Sequence, residues 1–109
     1  MSLQYNNDIN KLRFSAGPSA AHVYDDNTNS KICIDWSFDG LYYQYNNGSW
    51  ITLSLGPKTI VHELDKINTP EMKSVFKSLC FHGVEKLQGY SGNSDLALLK
   101  VNDLAKIFL

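Results

Sequence analysis

The amino-acid sequence predicts an α+β fold: an antiparallel β-meander of four to five strands over about residues 20–55, packed against two C-terminal helices. Three observations carry that prediction. Residues 20–55 alternate apolar and polar side chains and are interrupted by turn-forming clusters at 25–30, 39–40 and 46–48. After Gly56-Pro57 the composition shifts, and beyond Pro70 apolar residues recur at helical spacing. The chain has 109 residues, 43% apolar and 19% charged, which is the length of one domain (1–109) and the composition of one that folds.

Residues 1–10 are Asn-rich and weakly patterned, so a loose arm or a short first helix is expected there. Lys11 to Ser15 alternates and reads as a short edge strand ended by Ala16-Gly17-Pro18. Ala21 and Val23 alternate with His22 and Tyr24, and a four-residue connection through the polar run from Asp25 to Ser30 aligns Val23 with Ile32 and His22 with Cys33. Asp39-Gly40 is a two-residue hairpin signal, because a type I′ turn needs positive φ at both positions. It sets Phe38 opposite Leu41, Trp36 opposite Tyr43 and Ile34 opposite Tyr45, and puts all six on one face. For the next turn, a three-residue loop with Gly48 left-handed brings Ile51 opposite Tyr43 and Leu53 opposite Leu41, on that same apolar face. A two-residue Asn47-Gly48 turn would send both to the other side.

Residues 58–67 fit either helix or strand. Thr69-Pro70-Glu71 reads as an N-cap, a first-turn proline and a carboxylate near the positive end of the helix dipole. Met72, Val75, Phe76 and Leu79 then line one side of a helix over about 69–81, with Lys73, Ser74, Lys77 and Ser78 opposite and Gly83 as its stop. Residues 88–94 form a Gly/Ser/Asn loop. The segment 95–109 reads as a buried strand (96–101) followed by a helix capped at Asn102 or Asp103; the alternative is one helix with Ala97, Leu98, Val101, Leu104, Ala105 and Phe108 inward.

The same residues narrow the function. A net charge of −1, with ten basic residues scattered along the chain, gives no footprint for nucleic acid. There is no signal peptide and no apolar run of membrane-spanning length, and two widely separated cysteines, Cys33 and Cys80, do not make a disulfide framework, so a cytoplasmic location without membrane association is expected. His62-Glu63 lacks the second histidine of a zinc-protease motif, since Lys66 stands in its place. Cys33, His62, Cys80 and His82 have no paired ligand spacing, and the loop from Gly89 to Ser94 has no phosphate-binding lysine, so neither a metal nor a cofactor is predicted.

The second face of the meander is expected to carry Cys33, Asp35, Ser37, Tyr42, Gln44, Trp50 and Thr52, with Asp35 opposite Gln44 and no basic residue in the strand interiors. If the helices covered this face, Tyr42 and Trp50 would be core. If the helix over 69–81 lies across the apolar face, as expected, the mixture of Tyr, Trp, Gln and Asp resembles an interface. The sequence therefore leads to a noncatalytic protein-binding module, such as an immunity protein or inhibitor of a partner toxin or enzyme, binding through Asp35, Tyr42, Gln44, Trp50 and Thr52. The competing expectation is a small toxin-like hydrolase or nuclease using Asp35, His22, His62 or His82, or a thiolate formed from Cys33 beside His22; such an enzyme must gather those groups in one pocket.

Overall fold

A computed structural model describes residues 12–55 and 63–109. Five strands, β1 (Leu12–Ala16), β2 (Ala20–Asp25), β3 (Ser30–Asp35), β4 (Gly40–Gln44) and β5 (Trp50–Ser54), lie side by side in chain order, each antiparallel to the next. Helices α1 (Pro70–Leu87) and α2 (Asp95–Lys106) follow. This is the α+β meander that the alternation predicts. The pairings Val23–Ile32 and His22–Cys33, and then Tyr43–Ile51 and Leu41–Leu53, are those expected. Ala21, Val23, Ile32, Ile34, Leu41, Tyr43, Ile51 and Leu53 are all buried beneath the helices, so the apolar face is the covered one.

The β3–β4 hairpin differs from expectation. Ile34, not Phe38, stands opposite Leu41, and Asp35 stands opposite Gly40 rather than Gln44. The register is shifted by four residues, Leu41 facing position 34 instead of 38. An even slip leaves every side chain on its own face, which is why the core assignment survives. The cause is Asp35: its Oδ1 accepts from Ser37 N (3.0 Å), Phe38 N (3.2 Å) and Ser37 Oγ (2.7 Å), building a four-residue connection from the end of β3. Phe38 is left 80% exposed at its tip instead of joining the core. Trp36 tucks in beside the sheet, its Nε1 donating to Pro18 O (3.0 Å) and its ring meeting Tyr90 edge-on. Gly40 supplies no turn conformation. It makes room for the Tyr42 ring, whose Oη would lie 2.5 Å from a Cβ there.

The β4–β5 turn has the expected register but a different conformation. Asn46 (φ 50°) and Asn47 (φ 58°) take the left-handed positions, not Gly48, whose N–H donates to Tyr45 O (2.9 Å). Asparagine tolerates this region better than other side chains. Here its main chain is also tied down, with Asn46 N donating to Ser30 Oγ (3.0 Å) and Asn47 N to Asn29 O (2.9 Å).

Helix α1 starts as predicted, with Thr69 Oγ1 accepting from Met72 N (3.1 Å) and Pro70 in the first turn. It does not stop at Gly83. That glycine sits where the helix crosses β2 and β3, and a Cβ would lie 3.0 Å from Val23 Cγ2 and 3.4 Å from Ile34 Cδ1. The helix runs on to Leu87, and the left-handed glycine is Gly89 (φ 79°). The strand expected at 96–101 is helical instead. Leu96 and Leu99, which make that stretch look buried throughout, are each 63% exposed, while Ala97, Leu98, Val101, Leu104 and Ala105 face inward.

β1 is the edge strand anticipated near residues 11–15. At the other edge, Glu63 lies alongside β5: Thr52 N donates to Glu63 Oε1 (2.8 Å) and Glu63 N to Thr52 O (3.1 Å). The Thr52 N–H and then the Lys66 ammonium hold the Glu63 carboxyl below the usual carboxylate range. A single 3₁₀ turn, Leu64–Lys66, follows. The expectations for residues 1–10, for Lys11 and for the stretch 58–62 lie outside the described residues. No helix among the described residues is long and apolar enough to cross a membrane.

Candidate functional site

With both helices on one face, strand alternation turns the other set of side chains outward, and no described element packs over them. The pairings sort them into rows. Arg13, Tyr24, Lys31, Gln44 and Trp50 stand opposite one another across all five strands. Ser15, His22, Cys33, Tyr42 and Thr52 form the next row, and Asp35 closes the third beside Gly40. At ~4.8 Å between strands, each five-residue row spans roughly 19 Å.

The first row is a ladder of cations and rings. The Arg13 guanidinium lies 4.4 Å from the Tyr24 ring centre, and the Lys31 ammonium lies 5.8 Å from the Tyr24 ring and 5.4 Å from the Trp50 ring. His22 also stacks with Tyr24, the ring centres 5.9 Å apart and the planes nearly parallel. Arg13 is also held by Asp26 in a two-pronged pair, Nε–Oδ2 at 2.6 Å and Nη2–Oδ1 at 3.0 Å, which raises the guanidinium pKa and lowers that of the carboxyl. Lys31 has no carboxylate within ion-pair distance among the described residues.

Of the residues singled out from sequence, Tyr42, Gln44, Trp50 and Thr52 share this face. Tyr42 lies along the sheet over Gly40, and Gln44 Nε2 donates to Gly48 O (2.9 Å). Trp50 is 43% exposed, and the Thr52 side chain is exposed while its main chain is clamped by Glu63. Asp35 is at the rim, with one oxygen occupied by its own loop. Ser37 belongs to the loop and not to the sheet face.

The expectation that the strand interiors carry no basic residue is corrected: Lys31 stands opposite Gln44, where Asp35 was placed, and Arg13 flanks the row. Arg13, Tyr24 and Lys31 are absent from the residues expected at the site, and His22 is expected there only as a catalytic group. The signal was present, since aligning Val23 with Ile32 sends Tyr24 and Lys31 to the same outward side.

The groups named for hydrolysis do not gather. His22 is on the open face, Asp35 caps its loop, and His82 is on α1 beyond the sheet; His62 lies outside the described residues. Cys33 does face His22, but burial first and the Asp35 charge second push its thiol pKa up, the opposite of what a nucleophile needs. Cys80 is enclosed in the core, and burial raises its thiol much further. Among the described residues no three His, Cys, Asp or Glu side chains are placed to hold a metal ion. Comparison with models of known families, with curated proteins and with solved structures gives no significant match, so the case for function rests on this surface.

Proposed function

We propose that this chain is a noncatalytic protein-binding module, and that the open sheet face docks another protein as a small inhibitor or immunity protein covers a toxin or enzyme. One observation carries the reading: the cation–ring ladder from Arg13 through Tyr24 and Lys31 to Trp50, solvent-facing and spread across all five strands. Tyr, Trp and Arg supply most interface hot spots, because rigid rings bury large area at small entropic cost. The partner suited to it presents a carboxylate to Lys31, whose ammonium is held between two rings without an acidic neighbour among the described residues. Nucleic acid fits less well. Asp26 already neutralises Arg13, leaving one free lysine on the ladder, whereas a phosphate track draws on several cations.

Two thiols on opposite sides of the sheet, Cys33 outward and Cys80 in the core, suit a reducing compartment such as the cytoplasm. The test is capture from the native host with wild type, Trp50→Ala and Lys31→Glu as parallel baits, followed by reconstitution of any captured protein in purified form. A complex lost in both variants supports the reading; one that all three baits hold equally removes the face from consideration. Binding of oligothymidylate by the purified chain would replace a protein partner with single-stranded nucleic acid. A dimer mass in light scattering, lost on Trp50→Ala, would make the partner a second copy.

A further inference from the structure

Helix α1 has a second flank that the proposed docking does not use. The helical pattern assigns Ser74, Lys77 and Ser78 to solvent, but the segment after α2 folds back over them. Phe108 meets Phe76 edge-on at 5.7 Å, and the Lys73 ammonium lies 6.0 Å from the Phe108 ring. Beside this contact is a cleft of about 280 Å³ lined by Ser74, Lys77, Ser78, Phe81, His82 and Leu109. That volume is near the small end of ligand pockets, which start at about 300 Å³.

The chemistry of the lining is one-sided. Its polar groups are two hydroxyls, an ammonium and an imidazole, with no acidic side chain among them. Ser78 is only 8% exposed, and its Oγ lies 3.3 Å from His82 Nδ1. The Lys77 ammonium has no ion-pair partner and the Ser74 hydroxyl no hydrogen-bond partner among the described residues. Phe81 and Leu109 add apolar surface. Hydroxyl, ammonium and imidazole groups with no acidic side chain beside them favour an oxyanion, and the apolar members favour a tail.

We propose that this cleft binds a small organic anion, a carboxylate or phosphate monoester whose head contacts Lys77, Ser74 and the Ser78–His82 pair and whose short apolar tail rests on Phe81 and Leu109. The site holds its ligand and does not attack it, because no described acidic side chain orients His82 as a base for Ser78. It lies on the helical side of the sheet, so it stands or falls separately from the docking face.

The experiment is a chemical-shift titration of the ¹⁵N-labelled protein with hexanoate, phenyl phosphate, inorganic phosphate and the neutral 1-hexanol. The proposal expects saturable shifts for amides in 74–82 and 108–109, and for the His82 ring, with hexanoate or phenyl phosphate. The tighter of the two identifies the head group. Lys77→Ala should weaken that binding roughly tenfold or more, the worth of a charge-assisted hydrogen bond, while leaving the rest of the spectrum in place. Ser74→Ala is a second, milder variant should Lys77→Ala perturb the helix. The proposal is overturned by an absence of saturable shifts from both organic anions up to about 10 mM, near the weak end of measurable affinity. It is equally overturned if 1-hexanol binds as well as hexanoate, if inorganic phosphate binds as well as phenyl phosphate, or if neither variant weakens binding.

Discussion

Replacing Gly83 with alanine sets two effects of similar size against each other. An alanine inside a helix is favoured over glycine by about 1 kcal/mol. The new methyl, however, would sit 3.0 Å from Val23 Cγ2 and 3.4 Å from Ile34 Cδ1, inside the 3.5–4.0 Å at which carbon atoms attract. Neither neighbour can swing away freely, since Val23 is 2% exposed and Ile34 is fully buried. Overpacking of this kind costs about 1–3 kcal/mol. The balance is a net loss of about 1 kcal/mol, opposite in sign to the propensity change alone. Truncating Val23 to alanine should by itself cost about 2 kcal/mol in lost burial and a residual cavity. In the double variant the methyl introduced by Gly83→Ala enters the space that Val23 vacates, so the two losses should fall short of their sum by about 1 kcal/mol or more. Urea unfolding of the four proteins at a common m-value measures all of this. If Gly83→Ala stabilises by about 1 kcal/mol and adds independently to Val23→Ala, α1 does not approach β2 as closely as described, and the packing of helix on sheet must be redrawn.

Two further outcomes test other contacts. The Tyr45 hydroxyl donates to the Glu71 carboxylate, which together with partial burial pushes the phenol pKa up to about 12. The unfolded chain releases that proton near pH 10. The bond therefore contributes fully below about pH 10, and its contribution drains away as the pH climbs towards 12. Urea midpoints of wild type and Tyr45→Phe should differ most at neutral pH and converge on the alkaline side; a gap that stays constant throughout would mean the pair does not form. For the cysteines, both thiol pKa values are raised, so native protein at about pH 8 should react with a thiol-disulfide reagent more slowly than an unstructured cysteine peptide. Half-buried Cys33 should react first and Cys80 only on unfolding; two fast equivalents from the native state would contradict the burial of both.

Strand phase was legible because it depends on alternation, and alternation is a property of neighbouring residues. Val23, Ile32, Ile34, Leu41, Tyr43, Ile51 and Leu53 could be assigned to one face before any pairing was known. Hairpin register was not, because Asp39-Gly40 has the composition of a two-residue turn, while Asp35 reaches forward to nucleate a longer one. Local composition also misplaced the end of α1. Gly83 and Gly89 are indistinguishable as letters, and only the proximity of Val23 shows that the first serves packing and the second a left-handed cap.

The tail is ambiguous for a related reason: Leu96 and Leu99 are apolar yet exposed, as the one-helix alternative has them, but an apolar run from 96 to 101 equally satisfies a buried strand. On the candidate surface, Tyr42, Gln44, Trp50 and Thr52 were readable from parity. The same parity places Tyr24 and Lys31 beside them, but the four-residue register shift in the β3–β4 hairpin is what brings Lys31 level with Gln44 and Trp50. The cleft beside α1 was beyond sequence altogether, since it exists only once Phe108 has returned to Phe76.

Glu63 gives the sheet two unlike ends. At β5 the central outward-pointing amide and carbonyl, those of Thr52, are already engaged by a side chain and a main chain of the same molecule. An extended segment from a neighbouring molecule would have to evict both before it could zip onto that border, whereas lateral growth of β-structure requires such groups to be vacant. Ribbon-like polymerisation through this side is therefore obstructed from within, and the chain can keep a broad aromatic surface in water without also offering β5 as a template.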